Sequence, residues 1–395
     1  MNTCSNLSEA TMGKRRAIVV GAGIAGLAAA LVLHRAGWHA AVVERAPARR
    51  SSGYMLNLIG GGHDAVERLG LLPELSKRDL GAFTSVLVRA DGTAKFTVPQ
   101  AIVEAAQGAR AMSVFRGDLE TVLFEAVEDT ADFRFGTTVT AVDQTRDGVT
   151  AVLGDGSTMN ADLLIGADGL HSGVRRLVFG DESRFRVDLD HMVGAFPLRR
   201  VPDGLADGSG TTFIGPGRTA AVINLGPDRS SAFFAYRGPD TDLERGAATA
   251  LEAAFGDLGG GVPDALAQLR GAPDSAYFDS VSQIRMDAWS TGRVVLLGDA
   301  AWCVTLFAGY GAGLALAGAH ALGEALDADD LPAALAAWEA RLRPEVAKRQ
   351  ALARRGIAQF APPTKFHVWM SDMAMRSITL PGVRRLVQRS ISKSR

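Results

Sequence analysis

Two short apolar runs, residues 16–20 (RAIVV) and 39–43 (HAAVV), bracket helix formers at 24–36, which Gly37 closes. Each run is too short for a helix, so the pattern predicts strand, helix, strand, with parallel strands and a right-handed crossover. Residues 63–80 carry Leu69, Leu71, Leu72 and Leu75 and predict a helix. Residues 117–129 place Leu119, Val122, Leu123, Ala126 and Val127 on one helical stripe. Between 132 and 165 several short strands are predicted, with Asp147-Gly148 and Asp155-Gly156 as turn signals and 163–165 as a buried strand.

From 185 to 290 the rhythm changes. Strand-like runs at 191–198, 211–214, 219–225, 231–236 and 276–284 are separated by Gly, Pro and Asp clusters, with one helical stretch at 242–255. This predicts a largely antiparallel sheet. A buried strand returns at 293–297, helix-rich sequence follows through 331–354, and the basic, partly apolar stretch after Lys365 predicts helical packing. The predicted fold is therefore α/β. A Rossmann-like nucleotide-binding domain is built from discontinuous segments, with a second lobe of mainly antiparallel sheet and a C-terminal helical region. The expected divisions are a disordered leader at 1–14 and the nucleotide domain at 15–180 with 285–345. Second-lobe strands are inserted near 50–115, a substrate-binding sheet domain spans 181–284, and a helical segment spans 346–395.

Composition narrows the functional classes. Of 395 residues 47% are hydrophobic and 22% charged, which excludes a mainly disordered chain. Lys plus Arg number 42 against 43 Asp plus Glu, so a broad nucleic-acid surface is not expected. Cys4 and Cys303 cannot make a disulfide framework, which fits a reducing, cytoplasmic setting. The first sixteen residues lack the long apolar segment of a secretory signal. Residues 300–323 contain no Asp, Glu, Lys or Arg, a length that could span a bilayer. Glycines at 309, 311, 313, 318 and 323 argue instead for a buried loop and helix beside a ligand, so no membrane partner is expected. The chain is expected to be a monomer or a weak homodimer.

Gly21-Ala22-Gly23-Ile24-Ala25-Gly26 lies between the first strand and helix, and Glu44 follows 18 residues after Gly26 at the end of the next strand. Gly21 permits the tight turn, Gly23 lets backbone approach a pyrophosphate, and Gly26 lets helix and strand pack closely. The helix N-terminus favours an anion, and Glu44 can accept hydrogen bonds from a ribose. This predicts dinucleotide binding without choosing NAD or FAD.

Two later segments make the choice: Asp162-Leu-Leu-Ile-Gly-Ala-Asp-Gly-Leu-His-Ser-Gly-Val-Arg175 and Arg293-Val-Val-Leu-Leu-Gly-Asp-Ala-Ala301. With the glycine loop and Glu44-Arg45, the chain from about 14 to 345 resembles class A, single-component FAD-dependent aromatic hydroxylases of the para-hydroxybenzoate hydroxylase fold. The run 298–326 is most similar to members acting on polycyclic natural products, including tetracycline-inactivating ones. The resemblance implies FAD as cofactor, NADPH or NADH as co-substrate, and a small-molecule aromatic substrate. It implies oxygen insertion into an electron-rich, polycyclic aromatic or enolic natural product through a flavin C4a-hydroperoxide, in antibiotic biosynthesis or modification. Baeyer–Villiger oxygenation, epoxidation, an FAD-dependent reductase and a non-catalytic FAD or ligand binder stay open as alternatives.

The resemblance also implies residue roles. Gly21, Gly23, Ala25, Gly26 and Glu44 would hold the ADP half of FAD, with Arg45 against the adenine and Arg116 at the phosphate region. Asp168, with Gly169, would approach the pyrophosphate and the nicotinamide route, acting by hydrogen bonds or by orienting Arg175. Asp299 would bond ribitol hydroxyls, and a helix beginning within 308–312, including Gly311 and Ala312, would aim at the flavin pyrimidine edge. Leu306, Ala308, Gly309, Tyr310 and Gly311 are the flavin-proximal candidates. Trp302, Leu306 and Gly309-Tyr310-Gly311 depart from the relatives' His, Pro and Gly-Gln-Gly. Trp302 and Tyr310 suit a core as well as a pocket. Met55 and Asn57 fall on a strand expected near the flavin. Phe196, Phe213, Asn224, Phe234 and Tyr236 are substrate-face candidates, of which alternation sends about half inward. His191 is a candidate base. The histidines show no metal-ligand spacing.

Overall fold

The computed structural model describes residues 15–49, 54–108, 110–305, 307 and 309–378. The expectation of a disordered leader at 1–14 lies outside them. In chain order the first elements are β1 (Arg16–Val20), α1 (Ile24–Arg35), β2 (His39–Glu44), β3 (Met55–Ile59), α2 (Gly61–Arg68) and α3 (Leu72–Ser76). Next come β4 (Thr84–Val88), β5 (Ala94–Val98), α4 (Gln100–Gln107), β6 (Ala111–Phe115), α5 (Arg116–Glu125) and β7 (Asp132–Phe135). The middle holds β8 (Val139–Gln144), β9 (Val149–Leu153), β10 (Thr158–Ala161), β11 (Leu163–Gly166), α6 (Gly173–Val178), β12 (Arg186–Leu198), β13 (Ser209–Gly215), β14 (Arg218–Asn224) and β15 (Ser230–Arg237). The rest comprises α7 (Asp242–Arg245), α8 (Ala247–Phe255), α9 (Val262–Gly271), β16 (Tyr277–Ile284), β17 (Ser290–Thr291), β18 (Val294–Leu296), α10 (Asp299–Trp302), α11 (Gly311–Ala325), α12 (Leu331–Phe360) and α13 (Lys365–Ile378).

One sheet runs in the order β17-β18-β11-β1-β2-β7, parallel except for its β17 edge. Helices cover it, which is why β1 and β11 read as unbroken apolar runs rather than alternating ones. Their residues from Ala17 to Val20 and Leu163 to Ile165 are buried. A second sheet runs β16-β12-β15-β14-β13-β4-β5, antiparallel except where β13 pairs β4. Its outer face packs on α8 and α9 through Phe196, Phe234, Leu251, Phe255 and Leu266. Its inner face carries Val193, Ala235 and Val281 toward Phe307, in the loop before α11. The β3–β6 pair and the β8–β10 meander complete the sheets.

Four expectations are refined. The helix over 63–80 is two helices, because Gly70, at φ +65°, ends the first turn sequence in a left-handed conformation. The helix over 242–255 is likewise divided at Gly246. The uncharged run 300–323 holds most of the one-turn helix α10 and, from Gly311, the first part of α11, and no described helix is long and apolar enough to cross a membrane. α12 runs unbroken through 345 and 346, where a division was expected.

Candidate functional site

The glycine loop closes on itself by contact rather than by side chains. Gly21 takes φ +104°, and its N–H donates to the Val43 carbonyl at 2.8 Å. A Cβ on Gly26 would lie 1.8 Å from the Gly21 carbonyl oxygen, so only glycine lets α1 start against β1. The cap position of α1 is Gly23, which leaves the first-turn N–H groups to the cleft. Glu44 reaches under the loop: its carboxylate accepts from Ala22 N and Ala46 N, each at 2.8 Å. Arg45 is exposed at the strand end. Ala25 packs against Gly298, where an added Cβ would sit 2.8 Å from the Ala25 methyl. The third motif therefore meets the first directly.

Arg116 opens α5 and faces the loop, its Nη2 being the nearest atom to the Cβ position of Gly23 at 3.7 Å. It donates from Nε to Glu120 Oε1 and from Nη1 to the Tyr54 hydroxyl, both at 3.0 Å. Burial opposes its charge, but Tyr54 and Glu120 outweigh that and raise its pKa. Burial also raises the Glu120 carboxyl and the Tyr54 phenol, with Arg116 opposing both. Tyr54 leans on Tyr277 of β16, their ring centroids 5.5 Å apart. Asp299 projects into the open cleft, 3.8 Å from the Cβ position of Gly311. The protein massed around it raises its carboxyl, and Arg116 pulls the other way. The cap residue of α11, Tyr310, supplies no side-chain cap, so that helix also presents its N-terminal N–H groups.

The second motif is a hydrogen-bonded relay. Asp168 accepts from the Ser172 hydroxyl and from Val174 N at 3.1 Å. Ser172 caps α6 by accepting from Arg175 N at 2.9 Å. Arg175, fully buried, donates to the carbonyls of Ala300 at 2.9 Å and Leu170 at 2.6 Å, and to Glu182 Oε2 at 2.8 Å. Asp168 thus bears on the third motif through Ser172 and Arg175. His171 bridges Glu182 at 2.9 Å and Asp279 of β16 at 3.2 Å. The Asp279 hydrogen bond is the main cause of its raised pKa, with burial opposing.

The substrate-face candidates are corrected. Phe196, Phe213, Phe234 and Tyr236 point to the outer face and form the core under α8 and α9, because each falls on the wrong phase of strand alternation. Asn224 is a turn residue: its amide donates to the Leu205 carbonyl at 3.0 Å and its oxygen accepts from Gly226 N at 3.1 Å. The inner face instead presents Val193, Ala235, Val281, Phe233 and Tyr277, with Phe307 stacked on Phe360 at 4.8 Å. His191 shares that face, its Nδ1 held by the Leu189 carbonyl and its ring edge-on to Phe307. Trp302 is core, packed with Trp289 and Trp338. Tyr310 lies half-buried under the Arg349 guanidinium. Asn57 accepts from the Ser113 hydroxyl at 2.9 Å within the β3–β6 pair, beside Met55 on the same strand. Leu306 and Ala308 lie outside the described residues; Gly309, Gly311 and Ala312 begin α11 or directly precede it. One cluster not anticipated from spacing is His63, Asp64 and Glu67, but Arg110 already pairs with both carboxylates there.

Sequence reasoning missed Tyr54, Glu120, Tyr277, His171 and Phe307. Only Glu120 left a readable signal, four residues after Arg116 on a predicted helix.

Comparison with known proteins agrees with this geometry. Residues 14–330 match a family model described as an FAD binding domain. An uncharacterised protein of Mycobacterium tuberculosis is 33% identical over 355 residues, covering 87% of this chain and 94% of its own. The FAD-dependent monooxygenase asL4 of Sarocladium schorii is 28% identical, covering 93% of each chain. The crystal structure of tetracycline destructase Tet(55) superposes with a TM-score of 0.79 at 26% identity, covering 92% of this chain and 96% of the other.

Proposed function

The chain belongs to the FAD binding domain family and is an FAD-dependent monooxygenase, and from that premise we propose that it hydroxylates an electron-rich, polycyclic aromatic or enolic compound with electrons from NADPH or NADH. The balance is substrate C–H, O2, NAD(P)H and a proton giving C–OH, water and NAD(P)+. The redox chemistry is what FAD supplies when bound.

The residues present suit that group. Two helix N-termini without side-chain caps and the Arg116 guanidinium favour its phosphates and the anionic edge of its ring. Glu44 is held where a ribose can donate to it, and Asp299 projects into the cleft where it can accept from a polyol. Asp168, Ser172 and Arg175 fix the Ala300 carbonyl and so the turn bearing Asp299.

The observation that carries the substrate reading is the inner face of the second sheet. Val193, Ala235, Val281 and Phe307 pack into a buried apolar cluster, a wall whose half-buried rings are Phe233 and Tyr277. Such a wall takes a flat hydrophobic ring system and excludes water from the reacting centre. The similarity to a tetracycline destructase supports a polycyclic substrate.

The test is oxidation of NADPH and NADH by the FAD-loaded protein, with and without a panel of polycyclic phenols and enols, under 18O2. Substrate-stimulated oxidation with one labelled oxygen atom in the product is expected. Reduction of the flavin with no labelled product across the panel would overturn the reading.

A further inference from the structure

We propose that α13 is a docking surface for an anionic lipid membrane, lying in the plane of the headgroups rather than crossing the bilayer. The inward side of the helix is the half-buried row Val368, Ser371, Asp372 and Met375. Asp372 pairs with Lys95 of β5 at 3.1 Å, both side chains mostly buried, and the Arg376 guanidinium lies over the Phe96 ring. Away from that row the helix exposes an apolar stripe to water. Phe366, Trp369, Met370 and Met373 are 62%, 57%, 50% and 47% exposed. Their spacing of three, four and seven residues puts them on one stripe, and the Phe366 and Trp369 rings stack at 5.9 Å. Six large hydrophobic side chains are that open among the described residues, and four of them are on these two turns. A contiguous exposed patch of this kind marks a binding surface.

Charge selects the occupant. After Asp372 the sequence carries Arg376, Arg384, Arg385, Arg389, Lys393 and Arg395 and no Asp or Glu, while the whole chain has a net charge of -1. The body is therefore net acidic and this end is basic. An aromatic and Met stripe followed in the sequence by a polybasic run supplies the two signals that stable attachment to an anionic bilayer surface requires. A second copy of the chain fits less well, because the sequence after Asp372 offers no Asp or Glu to complement its own basic residues. At 14 residues the helix spans about 21 Å, short of the roughly 30 Å hydrocarbon core, so it binds in the interface. The sequence expectation was of no membrane partner, and this surface reading departs from it.

The experiment is flotation of the full-length, FAD-loaded protein with vesicles of phosphatidylcholine alone or mixed with phosphatidylglycerol, over a salt series. Flotation with the mixed vesicles only, weakening as salt rises, is expected. The double variant Trp369→Ser, Met373→Ser should lose at least roughly tenfold in partitioning while keeping its flavin absorbance and melting temperature. Charge reversal at Arg384 and Arg385 should cut binding without touching the stripe. Absence of flotation at low salt, or flotation unchanged in the double variant, would overturn the proposal. So would self-association that the double variant abolishes while no vesicle binds, which would give the stripe to a second copy.

Discussion

The Arg116 guanidinium concentrates the residue-scale argument. It is oriented by Glu120 one turn on and by Tyr54 just before β3, so its free edge is aimed before any ligand arrives. Arg116→Ala should weaken FAD roughly 10- to 100-fold, and Arg116→Lys should recover only part, because an ammonium lacks the planar fork. Flavin fluorescence titration of the apoprotein measures both; equal affinity in all three proteins would remove Arg116 from the cofactor site. Gly26→Ala should yield little flavin-containing protein, since its methyl would overlap the Gly21 carbonyl. The ratio of flavin to protein absorbance after purification reports this. Arg116 was legible in the sequence as a cation at a predicted helix start. Tyr54 was not, because it stands 62 residues away and arrives only through the β3–β6 pairing, in which Arg116 N donates to the Tyr54 carbonyl at 2.9 Å.

At the scale of elements, phase decides function. Phe233 and Phe234 are neighbours on β15, yet one packs on the Phe307 side and the other in the core under α8. Phe234→Ala should cost about 3–5 kcal/mol of stability, as a fully buried aromatic emptied into a cavity. Phe233→Ala should leave stability far less affected and raise the KM for substrate. Denaturant melts of the pair separate the two faces, and equal destabilisation would mean the faces are misassigned. The strands themselves were legible from their apolar runs and turn residues. The phase was not, because both faces of this sheet are covered and so neither reads as polar. The cap of α6 gives a second element-scale prediction. Ser172→Ala should cost about 1 kcal/mol and loosen flavin binding through Arg175 and Ala300.

At the scale of the molecule, His171 carries a polar contact from the second motif to Asp279 on β16 of the second sheet. Asp279 and Glu182 hold its pKa above the ordinary imidazole value of about 6.5. Its contribution is therefore complete below that ordinary value and is lost as pH rises through the raised, folded-state value. The side chain is nearly half exposed, so screening keeps the effect within the surface-pair range of about 0–1 kcal/mol. Urea melts of the wild type and His171→Gln across pH should show a difference that shrinks as the solution turns alkaline. A difference independent of pH would mean that His171 acts by packing alone.

The sequence by itself determined the cofactor half of this protein. A glycine loop, an acid at a strand end and a helix-start arginine are local devices, each set by the residue's own backbone freedom or charge, so spacing alone reveals them. It also determined the alternation of strands and helices, since buried parallel strands need continuous apolar runs. The tertiary structure decided what comes from afar: Tyr54 and Tyr277 brought to Arg116, Asp279 brought to His171, and Phe307 set against the inner sheet face. It also decided that α13 turns Phe366, Trp369, Met370 and Met373 to water while Asp372 pairs inward with Lys95. Those contacts join residues tens to hundreds of positions apart. No periodicity within either segment encodes its partner; only the folded packing of two sheets does.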